Sequence, residues 1–111
     1  MNHVMKLQEF PFDQIRNGKK NIEVRLYDEK RQKIKIGDTV EFRKESEQIE
    51  VLKAEVVGLF RYKTFADLVA NFDAKYFGYF HADDLIKDLF SFYTKEQETE
   101  YGVVGIKVKL L

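Results

Sequence analysis

The sequence contains no cysteine and only two histidines, His3 and His81. Without cysteine the chain has no disulfide, no zinc-thiolate site and no thiol nucleophile, which fits a reducing compartment. A catalytic triad or a zinc site built on histidine would have to use one of two residues that are far apart in the sequence. We therefore expect no metal site and no cofactor.

Long apolar segments are also missing. No apolar run approaches the length of about 18 residues that a membrane-spanning helix needs, and the sequence shows no signal peptide. Of the 111 residues, 44% are hydrophobic and 14% are aromatic, which is enough to bury one core. We expect a single cytoplasmic domain that spans residues 1–111.

The formal net charge is zero, which argues against a nucleic-acid-binding protein that works through overall charge. The charges are nevertheless separated along the sequence. Residues 16–35 contain eight Lys or Arg against three Asp or Glu, whereas residues 83–100 contain two against six. The basic segment is either a surface that holds a phosphate backbone or an ordinary solvated loop rich in lysine.

The basic segment contains the alternating pattern of a β-strand at residues 21–27. The apolar residues of one strand face are Ile22, Val24 and Leu26. Glu23 and Arg25 lie on the opposite face, about 6.6 Å apart along an extended strand. Both side chains can therefore contact one ligand, or each other.

Other segments predict a chain that mixes strands and helices. Four further stretches have the composition of strands, namely residues 4–8, 39–42, 49–62 and 101–111. The alternation slips between Val51 and Val57, which indicates a bulge or a strand buried on both faces. Two polar segments are predicted to be an exposed loop and a turn, residues 28–35 and 44–48.

Three segments carry the signals of helices. Pro11 suits the first residue of a helix of one or two turns. Thr64 is a predicted N-cap of a helix that faces the core, and Asp83 and Asp84 suit the first turn of another helix. Residues 94–100 are highly charged and are predicted to form a loop. This order of elements predicts an α+β fold.

The segment Tyr76-Phe77-Gly78-Tyr79-Phe80 groups four aromatic side chains around a glycine. Exposed aromatic rings can stack on nucleic-acid bases. In a small domain such rings usually pack in the core, which is the interpretation we favour. An exposed aromatic patch around Tyr79 would instead suit a protein partner.

Three motifs occur in a fixed order along the chain. The first is Gly-x-Lys-x-x-Glu-x-Arg, formed by Gly18, Lys20, Glu23 and Arg25 and followed by Ile36-Gly37-Asp38-Thr39-Val40-Glu41-Phe42. The others are Thr64-Phe65-Ala66-Asp67-Leu68 and Tyr101-Gly102-Val103-Val104-Gly105-Ile106. Together they resemble the ASCH domain, and the resemblance covers nearly the whole chain.

This resemblance implies an α+β fold of the PUA-like type, with a small curled β-barrel of about five to six strands and two to three helices. ASCH relatives are regarded as RNA-binding modules, so the expected partner is RNA or a nucleotide. The candidate ligand-binding residues are Lys19, Lys20, Glu23, Arg25 and Tyr93.

Each residue of the motif has a chemical role available in such a site. Lys20 and Arg25 can hold a phosphate or a base carbonyl, and Glu23 can accept a hydrogen bond from an exocyclic amine. The alternative is an ordinary ion pair between Glu23 and Arg25, worth at most about 1 kcal/mol if it is exposed.

Some ASCH relatives are enzymes, and one branch is similar to an amidohydrolase that acts on acetylated cytidine through a lysine, a threonine nucleophile and a glutamate. Lys20 matches the lysine. Glu23 occupies the threonine position, and Phe77-Gly78-Tyr79 supplies no glutamate where the acid is expected. A carboxylate lacks the hydroxyl that acyl transfer would use as its nucleophile. The motif therefore departs from this branch.

Cleavage of RNA is a second enzymatic alternative. Glu23 would take the proton of the 2′-hydroxyl group, while Lys20 and Tyr93 would stabilise the phosphorane. Metal assistance through Asp83 and Asp84 is conceivable, although adjacent acids at a helix start more often complement the helix dipole. If the protein is an enzyme, Lys20 and Glu23 are the candidate catalytic residues.

Overall fold

The computed structural model describes residues 1–46 and 50–111. Within those residues the chain forms five strands, β1 (Asn2–Leu7), β2 (Ile22–Leu26), β3 (Thr39–Lys44), β4 (Val51–Tyr62) and β5 (Val103–Leu110). It also forms four α-helices, α1 (Glu9–Arg16), α2 (Phe65–Ala70), α3 (Ala82–Phe92) and α4 (Lys95–Tyr101). Short 3-10 helices lie at Arg31–Lys33 and Ala74–Tyr76. Among the described residues, no helix combines the length and the apolar character needed to cross a membrane.

The five strands form one sheet in the order β1-β3-β4-β5-β2. β1 and β3 run parallel, and the other neighbouring strands are antiparallel. The two edge strands, β1 and β2, approach each other. Arg25 of β2 donates a hydrogen bond from Nη2 to the carbonyl oxygen of Lys6 in β1 at 3.0 Å. The fold is therefore a curled half-barrel of the PUA-like type, which confirms the predicted α+β class.

Apolar side chains cover the sheet on both faces. Side chains of α1 join one cluster, which contains Met5, Leu7, Phe12, Ile15, Ile34, Val40, Phe42, Ala54, Val56, Val104, Ile106 and Val108. Side chains of α2 and α3 join the other, which contains Ile22, Val24, Leu26, Phe65, Leu68, Val69, Phe77, Leu85, Leu89 and Val103. The predicted apolar face of β2 thus packs against helices. Its opposite face, which carries Glu23 and Arg25, points toward the gap between the two edge strands.

Two predicted local features, the N-cap of α2 and the irregularity in β4, are present in the structure. The hydroxyl of Thr64 accepts a hydrogen bond from the backbone N–H of Asp67 at 3.0 Å and caps α2. The pairing of β4 with β5 shifts register between Val56 and Gly58, which confirms the predicted bulge. Ile49, with which that predicted strand was to begin, lies outside the described residues, as do residues 47–48 of the predicted turn.

Some predicted boundaries are wrong. Residues 94–100 were predicted as a loop, but they belong to α4, which brings the helices to four where two to three were expected. Thr94 and Gln97 form a capping box at its start, which stabilises a helix without a long apolar face. α1 begins at Glu9 rather than at Pro11. The predicted loop at 28–35 contains a 3-10 helix followed by the buried Ile34.

Candidate functional site

The turn after α1 delivers the basic motif to β2. Gly18 has a φ of +75°, a left-handed conformation that favours glycine. The backbone N–H groups of Lys19 and Lys20 both donate to the carbonyl oxygen of Gln14, at 2.9 and 3.1 Å. Lys20 then forms a β-bridge with Phe77, so its side chain is fixed at the start of the strand.

Lys20, Glu23 and Arg25 form one hydrogen-bonded ion network. Lys20 Nζ donates to Glu23 Oε1 at 2.8 Å, and Arg25 donates to Glu23 Oε2 from Nε at 3.3 Å and from Nη2 at 3.1 Å. The backbone N–H of Val24 donates to Oε1 at 3.2 Å. Glu23 is only 5% exposed and Lys20 only 8%. The network is therefore buried, and it contains the ion pair between Glu23 and Arg25 that was the alternative to a ligand site.

Two opposing effects set the pKa of Glu23. Burial raises the pKa, because it disfavours the charged carboxylate. Attraction to Lys20 and to Arg25, together with the hydrogen bonds from both, outweighs burial and lowers the pKa from 4.5 to about 2. For Arg25, burial lowers the pKa, but attraction to Glu23 and Tyr93 together with hydrogen bonds to both outweighs it, and the pKa is raised. Near neutral pH the network consists of two cations and one carboxylate.

This network lies in a cleft of about 1020 Å³ between β1, β2 and α3, which we call the edge cleft. Five cationic and three acidic side chains line it among the described residues. The cationic residues are Lys6, Lys20, Arg25, Lys30 and Arg31, and the acidic residues are Glu23, Glu45 and Asp88. The volume is at the upper end of the range of about 300–1,000 Å³ that is typical of ligand pockets.

Aromatic side chains form part of the wall of the edge cleft. Phe10 and Phe92 line it and are largely exposed. Tyr79 meets Phe10 edge to face, with 6.4 Å between the ring centroids, and donates a hydrogen bond to Asp88 at 2.5 Å. Burial raises the pKa of Tyr79, and the bond to Asp88 raises it further, so the hydroxyl stays protonated. Burial also raises the pKa of Tyr93, against an opposing attraction from Arg25.

Arg31 is a further cation that the sequence did not single out. Its Nη1 donates to Asp28 Oδ2 at 3.1 Å, while its Nε is buried and has no hydrogen-bond partner among the described residues. A buried donor without a partner is unfavourable and suits a site that takes an acceptor. In the sequence, one signal indicated that this loop is anchored. The apolar Ile34 follows Arg31 by three residues within a polar segment.

The structure brings four of the five candidate residues together. Lys20, Glu23, Arg25 and Tyr93 all line the edge cleft. Lys19 does not line it and instead borders a neighbouring hollow. The wall residues Phe10, Tyr79 and Phe92 were not among the candidates. Within residues 1–46 and 50–111, no three His, Asp or Glu side chains, including Asp83 and Asp84, come together as a metal site.

The chain is similar to one protein family and to solved structures of other proteins. The sequence model of the ASCH domain matches residues 5–111. Hypothetical protein PH0355, known from a crystal structure, is 36% identical over 100% of both chains, with a TM-score of 0.88. Protein PF0455 from Pyrococcus furiosus, known from a solution NMR structure, is 35% identical over 100% of this chain and 98% of that one, with a TM-score of 0.77.

A more distant likeness concerns the fold alone. A serine-to-alanine mutant of ZmASCH from Zymomonas mobilis is 13% identical over 97% of this chain and 67% of that one, with a TM-score of 0.61. No curated protein matches the chain.

Proposed function

The chain belongs to the ASCH domain family, and on this premise we propose that it binds RNA, or a nucleotide drawn from RNA, in the edge cleft. The observation that carries the proposal is the buried Glu23 carboxylate, held between Lys20 and Arg25 inside the cleft. Both oxygens of Glu23 already accept hydrogen bonds, so the carboxylate fixes the two cations in place. The remaining donors of Lys20 and Arg25 are suited to a phosphate or to the carbonyl of a base.

Both cations of the network keep donors for a ligand. Arg25 has five N–H donors, of which two bind Glu23, one binds Lys6 and one interacts with Tyr93, so one donor remains. Lys20 has three donors and gives one to Glu23. The side chains of the network are therefore held in place, and both cations still have N–H donors free for a ligand. Preorganised donors of this kind bind an anion without first losing side-chain freedom.

The aromatic wall supports an unpaired nucleotide as the ligand. Phe10 and Phe92 are exposed beside the cationic lining, and a flat exposed ring binds the face of any base. A base within a duplex cannot reach the buried Glu23, since its edge is paired and its faces are stacked. We therefore expect single-stranded RNA to bind and duplex RNA to compete poorly.

The electrostatics favour binding over hydrolysis in this cleft. A general base works best with a pKa near the working pH, whereas the pKa of Glu23 is lowered to about 2. Its oxygens already accept hydrogen bonds from Lys20, Arg25 and Val24. Glu23 is thus a weak base, and it carries no hydroxyl for acyl transfer. Recognition is the role that this carboxylate suits.

The test is a titration of the protein with cytidine nucleotides and short single-stranded RNA, followed by NMR amide shifts at low and high salt. We expect shifts in β2 and in the neighbouring walls, and an affinity that falls as salt rises. Arg25→Ala should weaken binding about tenfold or more, and Arg25→Lys should weaken it less, because lysine keeps the charge but loses the planar fork.

Arg43→Ala is the matched control, since Arg43 is half exposed on β3 and pairs with Glu41 outside the cleft. The proposal is wrong if no RNA or nucleotide shifts β2, or if Arg43→Ala weakens binding as much as Arg25→Ala. The same mixtures are assayed for product. Turnover that is abolished by Glu23→Gln would identify a hydrolase instead of a binding module.

A further inference from the structure

A second hollow lies next to the edge cleft and has no part in the function proposed above. It has a volume of about 510 Å³ and lies between the turn at residues 18–21 and the segment at residues 75–80. We call it the turn hollow. Its volume is within the range of about 300–1,000 Å³ of ligand pockets.

Exposed aromatic rings and lysines border the turn hollow. Phe80 is 98% exposed and Tyr76 is 41% exposed. Lys19 and Lys75 also line it, and Lys75 Nζ lies 5.4 Å from the centroid of the Tyr76 ring. Among the described residues that line this hollow, none is acidic. Cations and flat apolar faces without acids are suited to a stacked base and its phosphate.

Two side-chain amides in the wall of the turn hollow lack partners. Gln14 Oε1 and Asn21 Oδ1 are both buried and accept no hydrogen bond from a described residue. A buried acceptor without a donor is unfavourable, and such atoms in a native fold call for an explanation. Gln14 and Asn21 both line the hollow. The exocyclic amine of a base is a source of the N–H donors that their two oxygens lack.

The two hollows are separated by a thin wall. Tyr79 lines both of them. At Gly78, which has a φ of +83°, an added Cβ would lie 3.3 Å from Lys20 Cβ and 3.5 Å from Gln14 Cβ. Lys19 and Lys20 are consecutive residues, yet one lines the turn hollow and the other the edge cleft. Neighbouring nucleotides of one strand are joined by a single phosphate, which fits two hollows that share Tyr79 as a lining residue.

We propose that the turn hollow is a second nucleotide subsite, so that the ligand of this protein is a single-stranded oligonucleotide rather than a mononucleotide. In this arrangement the second base stacks on Phe80, its phosphate lies between Lys19 and Lys75, and its amine reaches Gln14 or Asn21. The inference rests on the proposed function, because it places the first nucleotide in the edge cleft.

The experiment compares cytidine 5′-monophosphate with the 5′-phosphorylated RNA dinucleotide pCpC, written CpC below, in wild-type protein and in variants of the turn hollow. The 5′-phosphate gives the dinucleotide one phosphate for each nucleotide, as the proposal requires. We expect CpC to bind about tenfold or more tightly than the mononucleotide, since one stacked base contributes an effect of that size. Phe80→Ala should remove this gain and leave the mononucleotide affinity unchanged. Because Phe80 is almost fully exposed, the variant should fold normally.

Two further variants separate charge from hydrogen bonding. Lys75→Ala should lower the affinity for CpC severalfold. Lys53→Ala, which removes an exposed lysine of β4, is the control and should leave that affinity unchanged. Gln14→Met should weaken CpC without lowering the melting temperature, because it removes an acceptor that has no partner in the free protein. A purely structural role of Gln14 would affect the melting temperature and not the affinity.

The outcomes distinguish this inference from the proposed function. If the mononucleotide binds and depends on Arg25, but CpC binds no more tightly, the second subsite is wrong and the proposed function stands. Equal weakening of both ligands by Phe80→Ala would also overturn the subsite. If neither ligand binds, both proposals fail, and Phe80 is better examined as a contact for a protein.

Discussion

Two clusters of opposite charges among the described residues differ in where the charges are buried. In the edge cleft, the Glu23 carboxylate is at the centre and both cations that hold it are largely buried. At the other cluster, Lys44 is at the centre and contacts Glu9, Asp13 and Glu50 at 3.3 to 3.6 Å, each of which remains partly or largely exposed.

The comparison shows that the number of ion pairs says little about what a cluster does. The Lys44 cluster joins β3 to α1, and water surrounds its acids, so solvent and salt can replace each contact. Burial raises the pKa of Glu23 and lowers that of Arg25, and in each case the network reverses the effect. We expect changes in the edge cleft to be costly and changes around Lys44 to be mild.

The largest effect is expected for Glu23→Gln, which leaves Lys20 and Arg25 buried without the carboxylate between them. The free energy of unfolding should fall by about 3–5 kcal/mol, the usual result of breaking a buried ion pair. Urea denaturation measures it. Glu50→Gln at the Lys44 cluster is the matched control and should change stability by less than about 0.5 kcal/mol. Equal losses in the two variants would mean that the clusters do not differ.

The next effect is the pH dependence of the same carboxylate. The pKa of Glu23 is about 2 in the folded protein against an ordinary value of 4.5. Because the folded value is the lower one, the carboxylate contributes stability above about pH 4.5 and loses it as the pH falls through 2. The shift corresponds to about 3 kcal/mol. The difference in unfolding free energy between wild type and Glu23→Gln should therefore shrink in acid.

Asp38 supplies the control for that measurement. Its pKa is also lowered to about 2, first by its hydrogen bond with His3 and then by the backbone N–H of Lys35. Since Asp38 is present in both proteins, its contribution cancels in the difference. A difference that stays constant from pH 6 to pH 2 would contradict the lowered pKa of Glu23. NMR titration of the Glu23 carboxyl carbon provides an independent value.

A smaller effect is expected for Lys20→Met, which removes one of the two cations that hold Glu23. Arg25 remains, so the loss of stability should be about 1–3 kcal/mol and smaller than for Glu23→Gln. The pKa of Glu23 should rise, because the attraction of Lys20 is gone. Carboxyl NMR and urea denaturation test the two statements. An unchanged Glu23 pKa would show that Arg25 alone holds the carboxylate.

The smallest effect is expected for Lys44→Met. The methionine keeps an apolar stem near the Phe12 ring, from which Lys44 Nζ lies 5.6 Å. Arg16 still pairs with Asp13 and Glu50 at 2.8 Å, and Glu9 is exposed, so the urea midpoint should move less than in either edge-cleft variant. In 1 M salt the difference from wild type should nearly vanish, because screening removes what exposed pairs contribute. A loss of stability that persists in 1 M salt would mean that salt does not screen the ion pairs of this cluster.

Parts of the edge cleft were predictable because they depend on local periodicity. Glu23 and Arg25 are two residues apart on one strand, so the period of two places them on the same face. Burial of Glu23 was not predictable, since β2 pairs with β5 and only the folded sheet places it at the gap. The Lys44 cluster joins Lys44 to Glu9 and Asp13, more than 30 residues earlier, and to Glu50, six residues later, and no local pattern indicates it.

Other misses have equally physical reasons. α4 was not predicted, because its residues are polar all round and no apolar period marks a helix. The Thr94 and Gln97 capping signal was present in the sequence. Lys19 was grouped with Lys20, but the left-handed turn at Gly18 sends these neighbours to different hollows. Phe10 and Tyr79 meet only because α1 and residues 75–80 pack together in the folded protein.

The strand order also determines when the binding site can exist. Glu23 is paired with Ile106, and Arg25 with Val104, so the one strand that pairs with β2 in the described part of the chain comes about 80 positions later. The hairpin of β3 and β4 closes a short loop and can form early, whereas this pairing must close a long loop, which is entropically slow. A chain still being synthesised therefore has no edge cleft. Ligand binding at the edge cleft would therefore report the completion of folding, and incomplete chains would not compete for the ligand.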